Sequence, residues 1–256
     1  MTTPKIPTVH ENDSRLYVWE KKKYPGVTSV VGMLPKPALQ YWAAKKVAEA
    51  AIERGTVTER DMDWLKSAPR RDLNNAADIG TEVHDALDDM VTKGESTHSG
   101  QIGMFLDGYQ QWVERYDPQW VMNEETVLSR HDDLGYAGSF DVIADIAGER
   151  WLIDFKTTRS GIHPEVALQL SAYANAQEII HPDGSSEPLP KIDRCGVLWL
   201  RPDEWSFVEL NVTQDPSDPC FQTFLSLLRA WEWDNRLKKK ATGPVVASGV
   251  NLGELF

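Results

Sequence analysis

Cysteine is scarce in this chain of 256 residues, which contains only Cys195 and Cys220. No C-x-x-C spacing occurs anywhere in the sequence. This excludes a cysteine-ligated iron–sulfur cluster and a structural zinc site, and it suits a reducing compartment. The six histidines form no H-E-x-x-H pattern, so a zinc peptidase of that type is excluded as well.

Long apolar runs are also absent from the sequence. No stretch approaches the length that crosses a bilayer. The first residues, MTTPKIPTVHENDSR, contain no apolar segment of the signal-peptide kind. We therefore expect a cytoplasmic protein with no membrane partner.

Positive charge is in deficit, and the formal net charge is −12. This balance argues against non-specific coating of nucleic acid or of an anionic membrane. A local basic groove stays open, because cations concentrate in two parts of the chain. They are Lys21, Lys22, Lys23, Lys36, Lys45, Lys46, Arg70 and Arg71 in the first third, and Lys238, Lys239 and Lys240 near the end.

The apolar pattern predicts a helical N-terminal lobe over residues 1–70, a core over 71–240 and a flexible tail over 241–256. Within the lobe, residues 1–25 look irregular and a helix is expected over 38–54. A shorter helix should follow at 58–67, with Thr58 as its N-cap. Further helices are predicted over 70–94, 103–116, 164–180 and 220–239.

After residue 118 the apolar pattern changes to one typical of strands, and β-branched and aromatic residues become frequent. Five strands are predicted, at 119–130, 136–147, 150–158, 194–200 and 205–212. The order of these elements predicts an α/β fold in which a central sheet is flanked by helices.

The strand ERWLIDFKTT contains a carboxylate and an amine within its most apolar run. Residues two apart in a strand share a face, so Asp154 and Lys156 lie together. Trp151, Ile153 and Phe155 then share the opposite, buried face. By itself this pattern also fits a salt-bridged strand near solvent.

The preceding strand brings a second carboxylate to the same face. A turn at Ala147–Gly148 pairs Asp141 with Asp154, and a turn at Gly148–Glu149 pairs Asp141 with Lys156. A three-residue loop would instead pair Asp141 with Phe155. Two adjacent carboxylates need a positive partner, and Mg²⁺ or Mn²⁺ prefers such oxygen ligands. An adjacent lysine can stabilise charge that develops during attack on a phosphate.

Four ordered motifs resemble the RecB-type branch of the PD-(D/E)XK nuclease superfamily, as found in phage exonucleases. They are GTEVH (80–84) on a helix, GSFD (138–141) and DFK (154–156) on strands, and QLSAY (169–173) on the next helix. The segment 27–51 is similar to the N-terminal region of phage members. Phe140 stands where the superfamily name has proline, and the four cluster cysteines of some relatives are missing.

The resemblance implies a restriction-endonuclease-like core with a mixed central sheet, and it implies roles for residues of this chain. His84, Asp141, Asp154 and the Phe155 backbone carbonyl would bind one or two Mg²⁺ or Mn²⁺ ions, with Lys156 as the catalytic lysine. Gln169 and Tyr173, one helical turn apart, would support the site or contact DNA. Further candidates are Glu125 as an acidic ligand, and Thr157 and Arg159 as phosphate contacts.

The function expected from this resemblance is a metal-dependent DNA exonuclease that serves phage recombination, replication or DNA processing in the bacterial host cytoplasm. The lysines of the N-terminal lobe would guide a strand end to the site, and Trp42 or Trp64 would stack on bases. An endonuclease of the same superfamily, or a non-catalytic DNA-binding or regulatory protein with a vestigial site, remains an alternative. The terminal NLGELF resembles peptides that bind the sliding clamp, although Asn251 replaces their leading glutamine.

Overall fold

The computed structural model describes residues 5–12, 14–131 and 134–249. The NLGELF peptide therefore lies outside the described residues. None of the helices in the described ranges has the length and apolar character needed to cross a bilayer.

Twelve strands occur in the described ranges and form three sheets. The strands are β1 (Thr8–Glu11), β2 (Ser14–Trp19), β3 (Lys22–Pro25), β4 (Gln119–Asn123), β5 (Thr126–His131), β6 (Leu134–Ser139), β7 (Val142–Ile146), β8 (Glu149–Lys156), β9 (Glu178–Ile180), β10 (Ser186–Pro188), β11 (Arg194–Leu200) and β12 (Trp205–Leu210).

Eight α-helices accompany these strands in the same part of the chain. They are α1 (Val27–Val31), α2 (Ala38–Arg54), α3 (Met62–Lys66), α4 (Ala68–Lys93), α5 (Gln101–Tyr116), α6 (Val166–Ala174), α7 (Pro219–Glu232) and α8 (Lys238–Ala241).

The central five-stranded sheet has the order β12-β11-β8-β7-β4. The strands β8 and β11 are parallel, and the other neighbours are antiparallel. This confirms the prediction of an α/β fold with a mixed sheet. The site-bearing strand β8 lies in the middle of the sheet, where neighbours on both sides hold it.

Helices cover both faces of this sheet. Ile153 and Phe155 pack against α4 and α5, in the face that also contains Trp151. Leu152 and Val197 pack against α6 and α7 on the opposite face. The predicted alternation along β8 is therefore confirmed, because a period of two sends successive side chains to opposite layers.

Two of the predicted strands are each divided between two sheets. The segment 119–130 becomes β4 in the central sheet and β5 in a four-stranded sheet of order β10-β9-β5-β6. The segment 136–147 becomes β6 in the four-stranded sheet and β7 in the central one. Both segments change sheet at acidic residues, which places carboxylates at the junction of the two sheets.

The N-terminal region differs from the prediction of an irregular segment and a helical lobe. The strands β1, β2 and β3 form an antiparallel sheet, with a two-residue turn at Glu20–Lys21 between β2 and β3. Leu16 of β2 is buried in the main core, as are Val27 and Val30 of α1. The first third is thus attached to the core through β2 and α1, and its long helical part begins at α2.

Two other predicted helices differ in detail from the expectation. The helix predicted over 164–180 ends at Ala174, and residues 178–180 form β9, which pairs with β5. The final helix contains a π-helical turn, Trp233–Leu237, between α7 and α8. Residues 242–249 contain no helix or strand.

Candidate metal centre and catalytic cleft

Asp154 is the buried carboxylate at the centre of the site, with only 2% of the residue exposed. Its Oδ1 accepts a hydrogen bond from Gln169 Nε2 at 2.8 Å. Its Oδ2 lies 2.7 Å from Lys156 Nζ, but no described residue donates to it with good hydrogen-bond geometry. Oδ2 therefore keeps ligand capacity that a cation could use, since buried oxygens are normally satisfied.

Lys156 lies at the end of β8 on the same face as Asp154, as predicted. Burial alone would lower the pKa of its ammonium, but attraction by Asp154 and Asp141 outweighs it and raises the pKa. The lysine is therefore a fixed positive charge at neutral pH.

Asp141 reaches the site because β6 and β7 separate immediately before it. The turn at Ala147–Gly148 pairs Ile146 with Glu149, and the ladder ends with Val142 opposite Ile153. This is the first of the two predicted registers, which aligns Asp141 with Asp154. Beyond the ladder, Asp141 Oδ2 accepts the backbone N–H of Phe155 at 2.6 Å.

Because the β7–β8 ladder ends at Ile153, the Phe155 N–H has no backbone acceptor on β7. The Asp141 carboxylate accepts this N–H in place of a strand carbonyl. The N–H and C=O of one strand residue point to the same edge. The Phe155 carbonyl therefore lies on the edge that Asp141 occupies, which is compatible with its predicted role as a ligand. Burial raises the pKa of Asp141 to about 6, although attraction by His84 opposes this rise.

The GSFD motif positions Asp141 by packing. A Cβ on Gly138 would lie 2.6 Å from the Tyr173 ring and 3.1 Å from Val27, so only glycine fits there. Phe140 is buried in the main core and anchors the chain directly before the acid. The Ser139 N–H donates to the Tyr17 hydroxyl at 3.2 Å, which ties the motif to β2.

His84 approaches the same cleft from α4. Val83, Ala86 and Leu87 are fully buried against the sheet, which turns His84 toward the sheet edge. Its Nδ1 lies 3.6 Å from Asp141 Oδ1, and about a third of its side chain is exposed. The predicted constellation of His84, Asp141, Asp154 and Lys156 is thus brought together.

The acidic residue that joins this group is Glu124, whereas the sequence pointed to Glu125. Ligand atoms of His84, Glu124 and Asp141 all lie within 4.8 Å of one another. The Glu124 N–H donates to the Asp141 carbonyl at 2.7 Å, and this fixes the two residues side by side. Glu125 points elsewhere, with its carboxylate 3.4 Å from His181 Nδ1.

These donors fit a hard divalent cation. Carboxylate oxygens suit Mg²⁺ and Mn²⁺, and Asp154 Oδ2, which pairs with Lys156, is a further carboxylate oxygen in the same cleft. Glu124 also has a positive φ of 52°. A non-glycine residue in this conformation costs free energy, and such strain is concentrated at functional sites.

The cleft around these groups has a volume of about 370 Å³. Part of its lining comes from β1, β2 and the segment before them, which the sequence did not suggest. Arg15 stacks over the Tyr17 ring at 5.3 Å and forms no ion pair with the described residues. Lys5 donates to Glu124 Oε2 at 3.1 Å. The cleft is lined by Lys5, Ile6, Thr8, Arg15, Tyr17, Thr28, His84, Glu124, Thr126, Ser139, Asp141, Asp154, Lys156, Gln169 and Tyr173.

Gln169 and Tyr173 both face the cleft from α6, as their spacing predicted. Gln169 Nε2 contacts the Tyr173 hydroxyl at 3.4 Å as well as Asp154. Tyr173 is buried, and burial raises the pKa of its hydroxyl well above the usual value. Gln169 therefore positions Asp154, while Tyr173 stays neutral beneath it.

The remaining predicted contacts lie outside the cleft. Arg159 is exposed, and the Thr157 carbonyl accepts from Arg201 at 2.9 Å. Trp64 is covered by two guanidinium groups, Arg71 at 4.7 Å and Arg54 at 5.5 Å from its ring. Trp42 is half-buried in α2. The structure therefore does not bring these four residues to the metal-binding group.

Comparison with known proteins adds little to this description. No protein-family model matches the chain, and no curated protein matches it significantly. The crystal structure of SSO0001 is a distant structural neighbour, with a TM-score of 0.34 and 14% sequence identity. The match covers 77% of this chain and 85% of that one, and at this score it carries no argument. Membership of the PD-(D/E)XK superfamily stays a prediction.

Proposed function

We propose that this protein is a Mg²⁺- or Mn²⁺-dependent nuclease that hydrolyses DNA from its ends. The observation that carries the proposal is the convergence of Asp141, Asp154 and Lys156 in one cleft with His84 and Glu124. Three of the four motifs contribute four of these residues, and Glu124 comes from a further part of the chain. Their convergence supports the nuclease over a salt bridge at a strand edge, because buried like charges need a reason.

The chain's own residues account for substrate positioning and charge stabilisation. A bound cation would supply Lewis-acid stabilisation of the phosphate and a lowered pKa for the attacking water. Lys156, held by Asp154, would stabilise charge that develops on the phosphate. Arg15 is free of ion pairs with described residues and would hold a phosphate oxygen, for which its planar guanidinium is suited.

The ion pair between Asp154 and Lys156 limits how these groups can act. Gln169 holds one oxygen of Asp154, so the other oxygen faces Lys156 and the cleft. The lysine therefore remains within reach of any phosphate that enters beside Asp154. A flexible surface lysine would lose side-chain entropy on binding, and a pre-positioned one loses less.

The proposal is tested with linear end-labelled DNA and covalently closed circular DNA. Each is incubated with the wild type, the Lys156→Ala variant and a Lys191→Ala control in Mg²⁺, Mn²⁺ or EDTA. Lys191 is exposed and lies outside the cleft. We expect the wild type and the control to degrade only linear DNA and only with metal, and Lys156→Ala to be inactive.

The other outcomes separate the alternatives. Cutting of the closed circle would replace the exonuclease with an endonuclease. If the wild type binds DNA but cuts neither substrate with either metal, the non-catalytic DNA-binding protein is the better interpretation. Activity that survives both EDTA and Lys156→Ala would refute the proposed site.

A further inference from the structure

The basic run Lys21–Lys23 meets Arg236 on a surface outside the catalytic cleft. Arg236, in the π-helical turn before α8, donates to the Lys23 carbonyl at 2.9 Å. A pocket of about 490 Å³ lies at this junction. It is lined by Lys21, Lys22, Lys23, Tyr24, Arg130, Leu134, Gly135 and Arg236, and we call it the basic pocket.

The lining of the basic pocket contains five cations and no carboxylate, in a chain of net charge −12. Three of the cations have partners at the rim. Arg130 pairs with Glu178 and with Glu20 of the β2–β3 turn, Arg236 with Glu232, and Lys23 with Glu11. Lys21 and Lys22 form no ion pair with the described residues, so their charge is available to an anion.

The hairpin that carries these lysines is strained. Glu20 and Lys21 form the turn between β2 and β3 with φ values of 48° and 63°. Such a turn favours asparagine and glycine, which adopt positive φ at low cost. Lysine at this position makes the turn less stable than glycine would. Unlike glycine, however, lysine places a positive charge at the pocket.

The basic pocket adjoins the catalytic cleft. Tyr17 lines the cleft, and its cross-strand partner Tyr24 lines the basic pocket. Along β6, Gly135 lines the pocket and Ser139 lines the cleft on the same face of the strand. Four residues of β-strand span about 13 Å. One strand of duplex DNA advances about 3.4 Å per nucleotide, so this span corresponds to about four nucleotides.

We propose that the basic pocket binds the phosphate backbone of the DNA substrate about four nucleotides from the phosphate in the cleft. This inference rests on the proposed function for its substrate. A nucleic acid backbone fits the pocket because it presents evenly spaced anions across both cavities. The pocket holds the duplex in register, and the cleft receives its end.

The test measures DNA binding in EDTA, so that cleavage is not required. The triple variant Lys21→Gln, Lys22→Gln and Lys23→Gln is compared with a matched variant, Lys93→Gln, Arg115→Gln and Lys191→Gln. Both remove three exposed charges, and the control residues line neither cavity. We expect the pocket variant to bind a labelled duplex about 10- to 100-fold more weakly and to lower the salt slope by about two to three. The matched variant should retain wild-type binding.

A second variant separates folding from binding. Lys21→Gly relieves the positive φ, so its melting temperature should rise while its affinity for DNA falls several-fold. Under cleavage conditions the pocket variants should raise KM and leave kcat unchanged. Equal affinity and salt slope in the pocket and matched variants would overturn the proposal and favour an acidic protein as the ligand. If the wild type binds DNA but never cuts it, the proposed function fails. The binding comparison in EDTA still tests whether the basic pocket binds the DNA backbone.

Discussion

Asp141 accepts the backbone N–H of Phe155 at 2.6 Å, in the place where a strand partner would otherwise lie. The same carboxylate lies beside His84 and Glu124, so it ends the β7–β8 ladder and contributes to the candidate metal centre. Burial raises the pKa of Asp141 to about 6, which shows that its charge is disfavoured in the metal-free protein. The carboxylate is retained at a cost in stability.

Replacement of Asp141 by asparagine should stabilise the metal-free protein and abolish activity. The amide oxygen can still accept the Phe155 N–H. Because the folded-state pKa lies above the unfolded value, stability should fall as the pH rises from about 4 to 6, by on the order of 2–3 kcal/mol. Urea unfolding in EDTA across this range should show the decline in the wild type and not in Asp141→Asn. A parallel decline in both proteins would contradict the assignment.

Removal of Lys156 should reduce activity and also stability. Lys156→Met leaves the buried Asp154 carboxylate without its counter-charge, which costs about 3 kcal/mol when a buried pair is broken. We expect kcat to fall at least about 100-fold, in line with loss of a stabilising charge in the transition state. The double variant Asp154→Asn/Lys156→Met should recover most of the stability in EDTA but none of the activity. An additive loss of stability would show that the pair is not coupled.

The neighbouring acids Glu124 and Glu125 offer a matched comparison. Glu124→Gln should weaken Mn²⁺ binding about tenfold or more, because it removes a charged oxygen from the group around His84. Glu125→Gln should bind Mn²⁺ as the wild type does, since its carboxylate faces His181. Titration calorimetry with Mn²⁺ alone distinguishes the two. If Glu125→Gln weakened Mn²⁺ binding and Glu124→Gln did not, Glu125, the residue that the sequence suggested, would be the metal ligand instead.

Gly138 should not tolerate a methyl group. Gly138→Ala would push against the buried Tyr173 ring, 2.6 Å from the new Cβ, and should cost about 1–3 kcal/mol. Because Tyr173 lies below Gln169, cleavage should fall as well. Gly103→Ala in α5 is the control, because the new Cβ would have no neighbour closer than 3.9 Å. This substitution should stabilise the helix by up to about 1 kcal/mol. Thermal unfolding and cleavage assays on both variants check this.

Patterns within single elements were sufficient for much of the candidate site. The alternation in β8 predicted that Asp154 and Lys156 share a face opposite Ile153 and Phe155, and the structure confirms this. The short turn after β7 limited the register to two choices, one of which is observed. Helical spacing predicted that Gln169 and Tyr173 share one face of α6, and Gln169 Nε2 contacts the Tyr173 hydroxyl at 3.4 Å.

Errors arose where an element's neighbour is distant in sequence. Residues 119–130 and 136–147 each read as one strand, because local propensity continues through Glu124 and Asp141 without a breaker. The two segments stay paired through the junction, where the Phe140 N–H donates to the Glu125 carbonyl at 3.1 Å and the Glu124 N–H donates to the Asp141 carbonyl at 2.7 Å. The halves are divided because each half pairs with a different further strand, β7 with β8 and β5 with β9.

The sequence by itself determined the period of each element and the residue types that could hold a cation, because these depend on local backbone geometry and side-chain chemistry. Only the tertiary structure decided that β2 supplies Arg15 to the cleft, that Glu124 joins His84, and that Lys23 meets Arg236. These contacts join segments separated by up to 213 residues. Such pairings depend on non-local packing, which leaves no periodic signal in either segment.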